Sequence, residues 1–309
     1  MRDSPGFAPG SQLSVGRHPN TALHALAIPT SLAMRATAPP RYHHLVPTTH
    51  ADDVIPGVRW IRGTRGSNVY LVDLPSGGLA LVDTGFADSA PAILAALASL
   101  DRPLEGILLT HRHRDHTGAA AALAAATQAP VIAGAGDCRL VEGHHYLRPG
   151  IGRTHPLRII GAPFLPRPQP VPIATPVDRQ TIVLPGIRAI PTPGHTPGSL
   201  CFIAEHLGAC FVGDLVISHN GELARSLRWA NHDDALYLRS INEFSAVAPP
   251  AGFPGHGTPL TTGFDTALRT LAALPRRPLT PRTAIERARR LARFSHQFVN
   301  RREPPIKKR

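Results

Sequence analysis

Gly106-Ile107-Leu108-Leu109-Thr110-His111-Arg112-His113-Arg114-Asp115-His116 sets an apolar run directly before three imidazoles and a carboxylate. The run reads as a buried strand, and the alanine-rich stretch from Ala119 to Ala126, after Gly118, reads as a helix. The polar cluster therefore occupies the turn between a strand and a helix, where a rigid scaffold presents it. His111 and His113 lie two apart, so an extended backbone points both the same way. Asp115 and His116 fall at the helix start and face a second point. Imidazole and carboxylate are the ligands that zinc, iron and manganese favour, and such a turn can hold two ions. A solvated basic turn explains a lone histidine better than it explains three with an aspartate.

Further ligands stand on other strand ends. Pro193-Gly194-His195-Thr196-Pro197-Gly198 places a histidine in a Gly/Pro-punctuated loop between two strand-like runs. Phe211-Val212-Gly213-Asp214 ends an apolar strand on a carboxylate, and Pro254-Gly255-His256-Gly257 frames a last histidine with glycines that permit close approach.

With these motifs in this order, the chain resembles the metallo-β-lactamase fold superfamily over roughly residues 54 to 275, in the pattern of its glyoxalase II-like hydrolase branch. The resemblance implies an α+β, four-layered αββα sandwich with the site at one edge between the sheets. It implies one metal held by His111, His113 and His195, and a second held by Asp115, His116 and His256. Asp214 would bridge the two, and Asp83 in Val82-Asp83-Thr84-Gly85 would brace the ligand loop from behind. The implied cofactors are two divalent ions, zinc first, with iron or manganese as alternatives.

The chain is long enough to bury a full core, and one large domain with tails fits better than two equal ones. No run of 18 apolar residues occurs, so no membrane span is expected. Cys138, Cys201 and Cys210 are too few and scattered for a disulfide framework, with Cys201 and Cys210 expected diagonally on a hairpin turning near Leu207. A reducing, cytoplasmic setting is the simplest reading. The net charge of +12 resembles a nucleic-acid signal until it is divided. Residues 276 to 309 hold twelve Lys/Arg and two Glu, which leaves residues 1 to 275 with 21 basic and 19 acidic groups. The near-neutral body argues against a polyanion partner.

Residues 1 to 40 are rich in Pro, Gly, Ser and Ala and read as disordered. Within them, the apolar run from Ala25 to Met34 follows a long segment and is broken by Pro29, which argues against a secretory signal; Met34 is a second candidate start. The folded domain is expected over 41 to 275. Strands are expected at Val58 to Ile61, Asn68 to Val72, Leu79 to Val82, Gly106 to Thr110, Pro130 to Ala133, Thr181 to Leu184, Ile187 to Pro191, Ser199 to Ala204 and Ala209 to Val212. Helices are expected over Ala90 to Leu100, with Pro91 in the first turn, and over Asp233 to Val247. Residues 139 to 180 break the rhythm: eight prolines between Pro149 and Pro176 forbid regular structure there. This segment reads either as a lid or pocket wall over the cleft, with Tyr146, Phe164 and Leu165 against substrate, or as a remote surface loop. His144 and His145 read as surface or pocket residues, and His219 as a candidate to reach the cleft. From Thr280-Pro281 onward the tail reads as a basic amphipathic helix with an apolar stripe through Ile285, Leu291 and Phe298. That helix would pack on the domain or on a partner; in glyoxalase II-like enzymes basic groups near the C-terminus hold the anionic thiol ester.

The resemblance implies hydrolysis by a metal-bridging hydroxide, oriented by Asp115, attacking a thioester or carboxyl ester (including a lactone) of a small molecule, as in hydroxyacylglutathione hydrolase. No nucleophile elbow, P-loop or Rossmann fingerprint competes. The alternatives on the same fold are a phosphodiesterase or nuclease, disfavoured by the near-neutral body, and a mononuclear-iron sulfur dioxygenase, which needs only a subset of the ligands. A metal-stabilised binding module and a true β-lactamase rank lower.

Overall fold

Short apolar runs separated by glycine and proline turns build two large sheets and two small ones, with the alanine- and leucine-rich segments as helices outside the large pair. The computed structural model describes residues 51–150, 169–219 and 221–275. The 1–40 segment, Phe164, Leu165 and the basic tail 276–309 lie outside the described residues.

The first half runs through β1 (Ala51–Ile55), β2 (Val58–Ile61), β3 (Tyr70–Asp73), β4 (Leu79–Val82), α1 (Ala90–Leu100), β5 (Leu104–Leu108), α2 (Arg114–Thr117), α3 (Ala120–Thr127) and β6 (Val131–Gly134). It continues through β7 (Cys138–Val141), β8 (His144–Leu147), β9 (Val171–Ile173) and β10 (Thr175–Val177). The second half holds β11 (Thr181–Leu184), β12 (Ile187–Pro191), β13 (Leu200–Ala204), β14 (Ala209–Gly213), β15 (Ile217–His219), β16 (Glu222–Ala224), α4 (Asp234–Ser245), β17 (Ala251–Pro254) and α5 (Phe264–Ala273). A seven-stranded sheet has the order β1-β2-β3-β4-β5-β6-β10, and a five-stranded sheet the order β11-β12-β13-β14-β17.

Three apolar cores separate four layers, so the chain is an αββα sandwich. Leu79 and Leu81 pack outward with Ile93 of α1 and Leu123 of α3, while Ala80 and Val82 of the same strand face the opposite sheet. Strand β4 therefore lacks polar alternation, as a strand buried on both faces must. Between the sheets lie Tyr70, Phe202, Phe211 and Phe253. Tyr70 meets Phe253 edge-on at 5.3 Å between ring centroids, and Phe211 stacks on Phe253 at 5.1 Å. Each such side chain contributes about 1.5–3 kcal/mol by burial. A third core joins β13 and β14 to α4 and α5 through Ile203, Val212, Ile241 and Leu268.

Prolines do not keep residues 139–180 free of regular structure. Pro172 lies in β9 at the margin of the small sheet β7-β8-β9, and Pro176 lies in β10 at the margin of the seven-stranded sheet. A strand with one unpaired side tolerates a missing N–H, so the expectation of irregular chain fails there for a physical reason. Ile203 pairs with Cys210, which sets Cys201 and Cys210 diagonally as expected, and all three cysteines are free. No helix among the described residues is long and apolar enough to cross a membrane.

Candidate metal centre

Parallel pairing gathers the polar groups at one edge. β4 runs parallel to β5 and β14 parallel to β17, so Asp83, His111, Asp214 and His256 all follow strands that end on the same side of their sheets. His113 is the N-cap residue of α2, which carries Asp115 and His116. His195 comes from the loop between β12 and β13. The Leu200 amide of β13 donates to the Thr110 carbonyl at 2.8 Å, lashing the second sheet to the start of the histidine turn.

The seven side chains singled out from the motifs converge in two adjoining sets. His111, His113, His195 and Asp214 form one, Asp115, His116 and His256 the other, and within each the candidate ligand atoms lie within 4.8 Å of one another. In the first set His113 Nδ1 is 2.9 Å from His111 Nε2 and 3.1 Å from His195 Nε2. In the second, His256 Nε2 is 3.2 Å from both His116 Nε2 and Asp115 Oδ2. Asp214 stands between them: Oδ2 lies 3.4 Å from His195 Nε2, and Oδ1 lies 3.4 Å from His116 Nε2 and from His256 Nε2. Gly255 makes this approach possible, because a Cβ there would meet His116 Cε1 at 2.5 Å.

Behind the sets, polar partners aim the rings or hold the loops that carry them. Asp83 Oδ2 accepts from His116 Nδ1 at 2.7 Å, and its carboxylate also takes the Thr110 amide and hydroxyl at 2.9 and 2.8 Å. Asp83 does this at φ 56°, a left-handed conformation that aspartate tolerates better than most residues. Asn231 Oδ1 lies 3.1 Å from His195 Nδ1. Asp137, its side chain fully buried, accepts from the Arg112 amide at 3.0 Å, the Thr196 hydroxyl at 2.7 Å and the Gly198 amide at 3.1 Å. Asn68 donates to the Pro254 and Gly257 carbonyls at 3.0 and 2.8 Å, holding the His256 loop.

Charge is divided unevenly. Burial, with neighbouring imidazoles adding to it, keeps His111 well below its ordinary pKa and takes His113 down to about 3, so both present neutral lone pairs. Burial opposes charge on His116 as well, but Asp83, Asp214 and Asp115 outweigh it and push that ring well up. Burial likewise works against the Asp115 and Asp214 anions, yet His116 and His256 hold both below the usual carboxylate range.

The donor set fits divalent cations. Asp214 Oδ1 is buried and makes no hydrogen bond, although two imidazole nitrogens lie near. Metal–nitrogen bonds of about 2.0–2.1 Å in tetrahedral geometry space ligands by about 3.3 Å. The contacts of the first set, from 2.9 to 3.9 Å, bracket that spacing.

Other expected residues fall elsewhere. His219 is exposed at the end of β15 and belongs to neither set. Tyr146, which the lid reading sets against substrate and the alternative on a remote surface, lines a groove of about 430 Å³ between α3 and β8 together with His144 and His145, and none of the seven residues borders it. The segment does touch the histidine turn at one point, where Gly150 exchanges backbone hydrogen bonds of 2.9 Å with Arg112 and Arg114. Asp137, Asn231 and Asn68 escaped the sequence reading. Each is an isolated polar residue outside any motif, and only Asp137, trailing a strand in Gly134-Ala135-Gly136-Asp137, carried even a weak signal.

Comparison with known proteins agrees with the layering. The profile of the metallo-beta-lactamase superfamily matches residues 62–279. Over 201 residues the chain is 32% identical to the uncharacterized protein YobT of Bacillus subtilis, covering 62% of this chain and 82% of that protein. Over 199 residues it is 30% identical to thioesterase pkgB of Emericella nidulans, covering 62% of this chain and 46% of that protein, so it spans about half the length of this relative. The crystal structure of the B3 metallo-beta-lactamase BLEG-1 matches with a TM-score of 0.52 at 23% identity, over 67% of this chain and 95% of that one, a likeness of fold.

Proposed function

Because the chain belongs to the metallo-beta-lactamase superfamily, we propose that it is a metal-dependent hydrolase of a thioester, or of a related carboxyl ester or lactone, in a small molecule. The observation that carries this reading is the division of Asp214, one oxygen toward each set. His111, His113 and His195 would hold one divalent cation, Asp115, His116 and His256 the other, and Asp214 would serve both. Zinc is the first candidate, and iron or manganese suit the same donors. Bound there, the cations lower the pKa of water toward neutrality and polarise an acyl oxygen.

The chain's own part is orientation and charge. Asp115, kept anionic by His116 and His256, accepts a hydrogen bond from the attacking water and turns its lone pair toward the acyl carbon. The reaction adds water across the carbon–sulfur bond, the hydroxyl going to carbon and the proton to the departing sulfur. The thioesterase named among the relatives supports this bond as the first to test. The near balance of 21 basic and 19 acidic groups in residues 1 to 275 suits a substrate that is not a polyanion.

The test is a panel of acyl thioesters, lactones, a bis-phosphodiester and a β-lactam, run with metal analysis of the same sample. Thioester turnover with two metal ions per chain is expected. His113→Ala and Asp214→Ala should each lower it by about three orders of magnitude or more while the protein stays folded. Phosphodiester cleavage without thioester cleavage would overturn the assignment, and one iron per chain would point to the dioxygenase.

A further inference from the structure

Asn231 lies between a short helical turn at Arg228–Ala230 and α4, remote in sequence from every motif above. Its amide is engaged on both sides. Nδ2 donates to Asp234 Oδ1 at 2.8 Å, and Oδ1 accepts from the Ser226 hydroxyl and faces His195 Nδ1 at 3.1 Å. Asp234 is held as an acceptor by its place in the first turn of α4 and by Arg228 Nε at 3.7 Å. The backbone around it is fixed to the His195 loop, with His232 N–H on the His195 carbonyl at 3.1 Å and Asp233 N–H on the Gly194 carbonyl at 2.9 Å.

Hydrogen counting along this chain leaves one arrangement. A carboxylate only accepts, so the amide must turn its NH₂ to Asp234 and its oxygen to His195. That oxygen also only accepts, so Nδ1 of His195 carries the ring hydrogen. With Nδ1 so engaged, the ring atom left to face a cation is Nε2, 3.1 Å from His113 Nδ1 and 3.4 Å from Asp214 Oδ2.

We propose that Asn231 is a positioning residue that sets the tautomer and angle of His195 and thereby the cation affinity of the first set. This rests on His195 being a metal ligand. Asp83 stands in the same relation to His116, so the two sets are backed by acceptors of different strength, a neutral amide for one and a carboxylate for the other. A carboxylate behind a ligating imidazole raises its basicity more than an amide does.

The full-length chain, freed of metal, is titrated with zinc(II) against a competing chelator and with cobalt(II) followed by visible absorption; thermal unfolding monitors the fold. The wild type should bind two ions. In Asn231→Ala one ion should bind about 10- to 100-fold more weakly and the other as before. Asp234→Asn, which frees the amide to turn over, should give a smaller loss at the same ion. The exchange Asn231→Asp/Asp234→Asn keeps the net charge and restores a single acceptor, so it should bind that ion at least as tightly as wild type. Unchanged affinities in Asn231→Ala, or equal loss at both ions with a lower melting temperature, would overturn the proposal. If Asn231→Ala does not fold, failure of the exchange to recover what Asp234→Asn loses would overturn it instead. A wild type that binds fewer than two ions would refute the two-metal reading rather than the role of Asn231.

Discussion

Replacing Asp137 with alanine would strip three donors of their only shared acceptor, at the seam where the histidine turn meets the His195 loop. The Thr196 hydroxyl can turn to Ser199 Oγ, already 2.9 Å away, but the amides of Arg112 and Gly198 have no such recourse. Each buried donor left unpaired costs about 1–3 kcal/mol, so two cost about 2–6. Burial pushes the Asp137 carboxyl above its ordinary pKa, so removing it also relieves a desolvated charge and trims the loss to about 3 kcal/mol. The backbones here cannot close the gap, because Gly134 and Gly198 already touch: a Cβ on Gly134 would fall 1.9 Å from the Gly198 carbonyl oxygen. Asp137→Asn should lose less, about 1–3 kcal/mol, since its amide can satisfy one side but must turn an NH₂ toward a second donor. Urea unfolding of the three proteins at neutral pH checks the order wild type, Asn, Ala. The pH sign follows from the raised pKa: the native state holds this proton longer, so the Asp137 contribution falls as pH rises from 3.8 through the raised value. A loss below about 0.5 kcal/mol in the alanine variant would refute the claim that this carboxylate closes the seam.

Phe202→Ala removes a side chain with no exposed surface from between the sheets and should destabilise the fold by about 3–5 kcal/mol, read as a lower urea midpoint. At the surface, partial burial works against the Asp73 anion, but Arg59 and Arg102, each 2.6 Å away, hold the carboxyl below its ordinary value. Its stabilisation should therefore be complete above pH 3.8 and fade as pH falls through the lower native value, and Asp73→Asn should flatten that part of the acid limb in thermal melts.

Local patterns made much of this protein legible before folding. The runs at Leu79–Val82, Thr181–Leu184 and Ile187–Pro191 and the Ala90–Leu100 helix end at the residues expected of them. Periodicity and glycine or proline punctuation act over a few residues and need no partner to be read. The histidine turn was legible for the same reason, since its donors sit side by side. The four-layered arrangement came from resemblance, and the three cores bear it out. Tertiary structure alone decided the rest. Whether Pro172 and Pro176 break strands depends on which side of each strand is unpaired, which no local window records. Asp137 acts on chain up to 61 residues away, and Asn231 on a histidine 36 residues away. A lone polar side chain acquires its meaning from the donors that packing brings to it, and that packing is settled by the whole apolar core rather than by its neighbours in sequence.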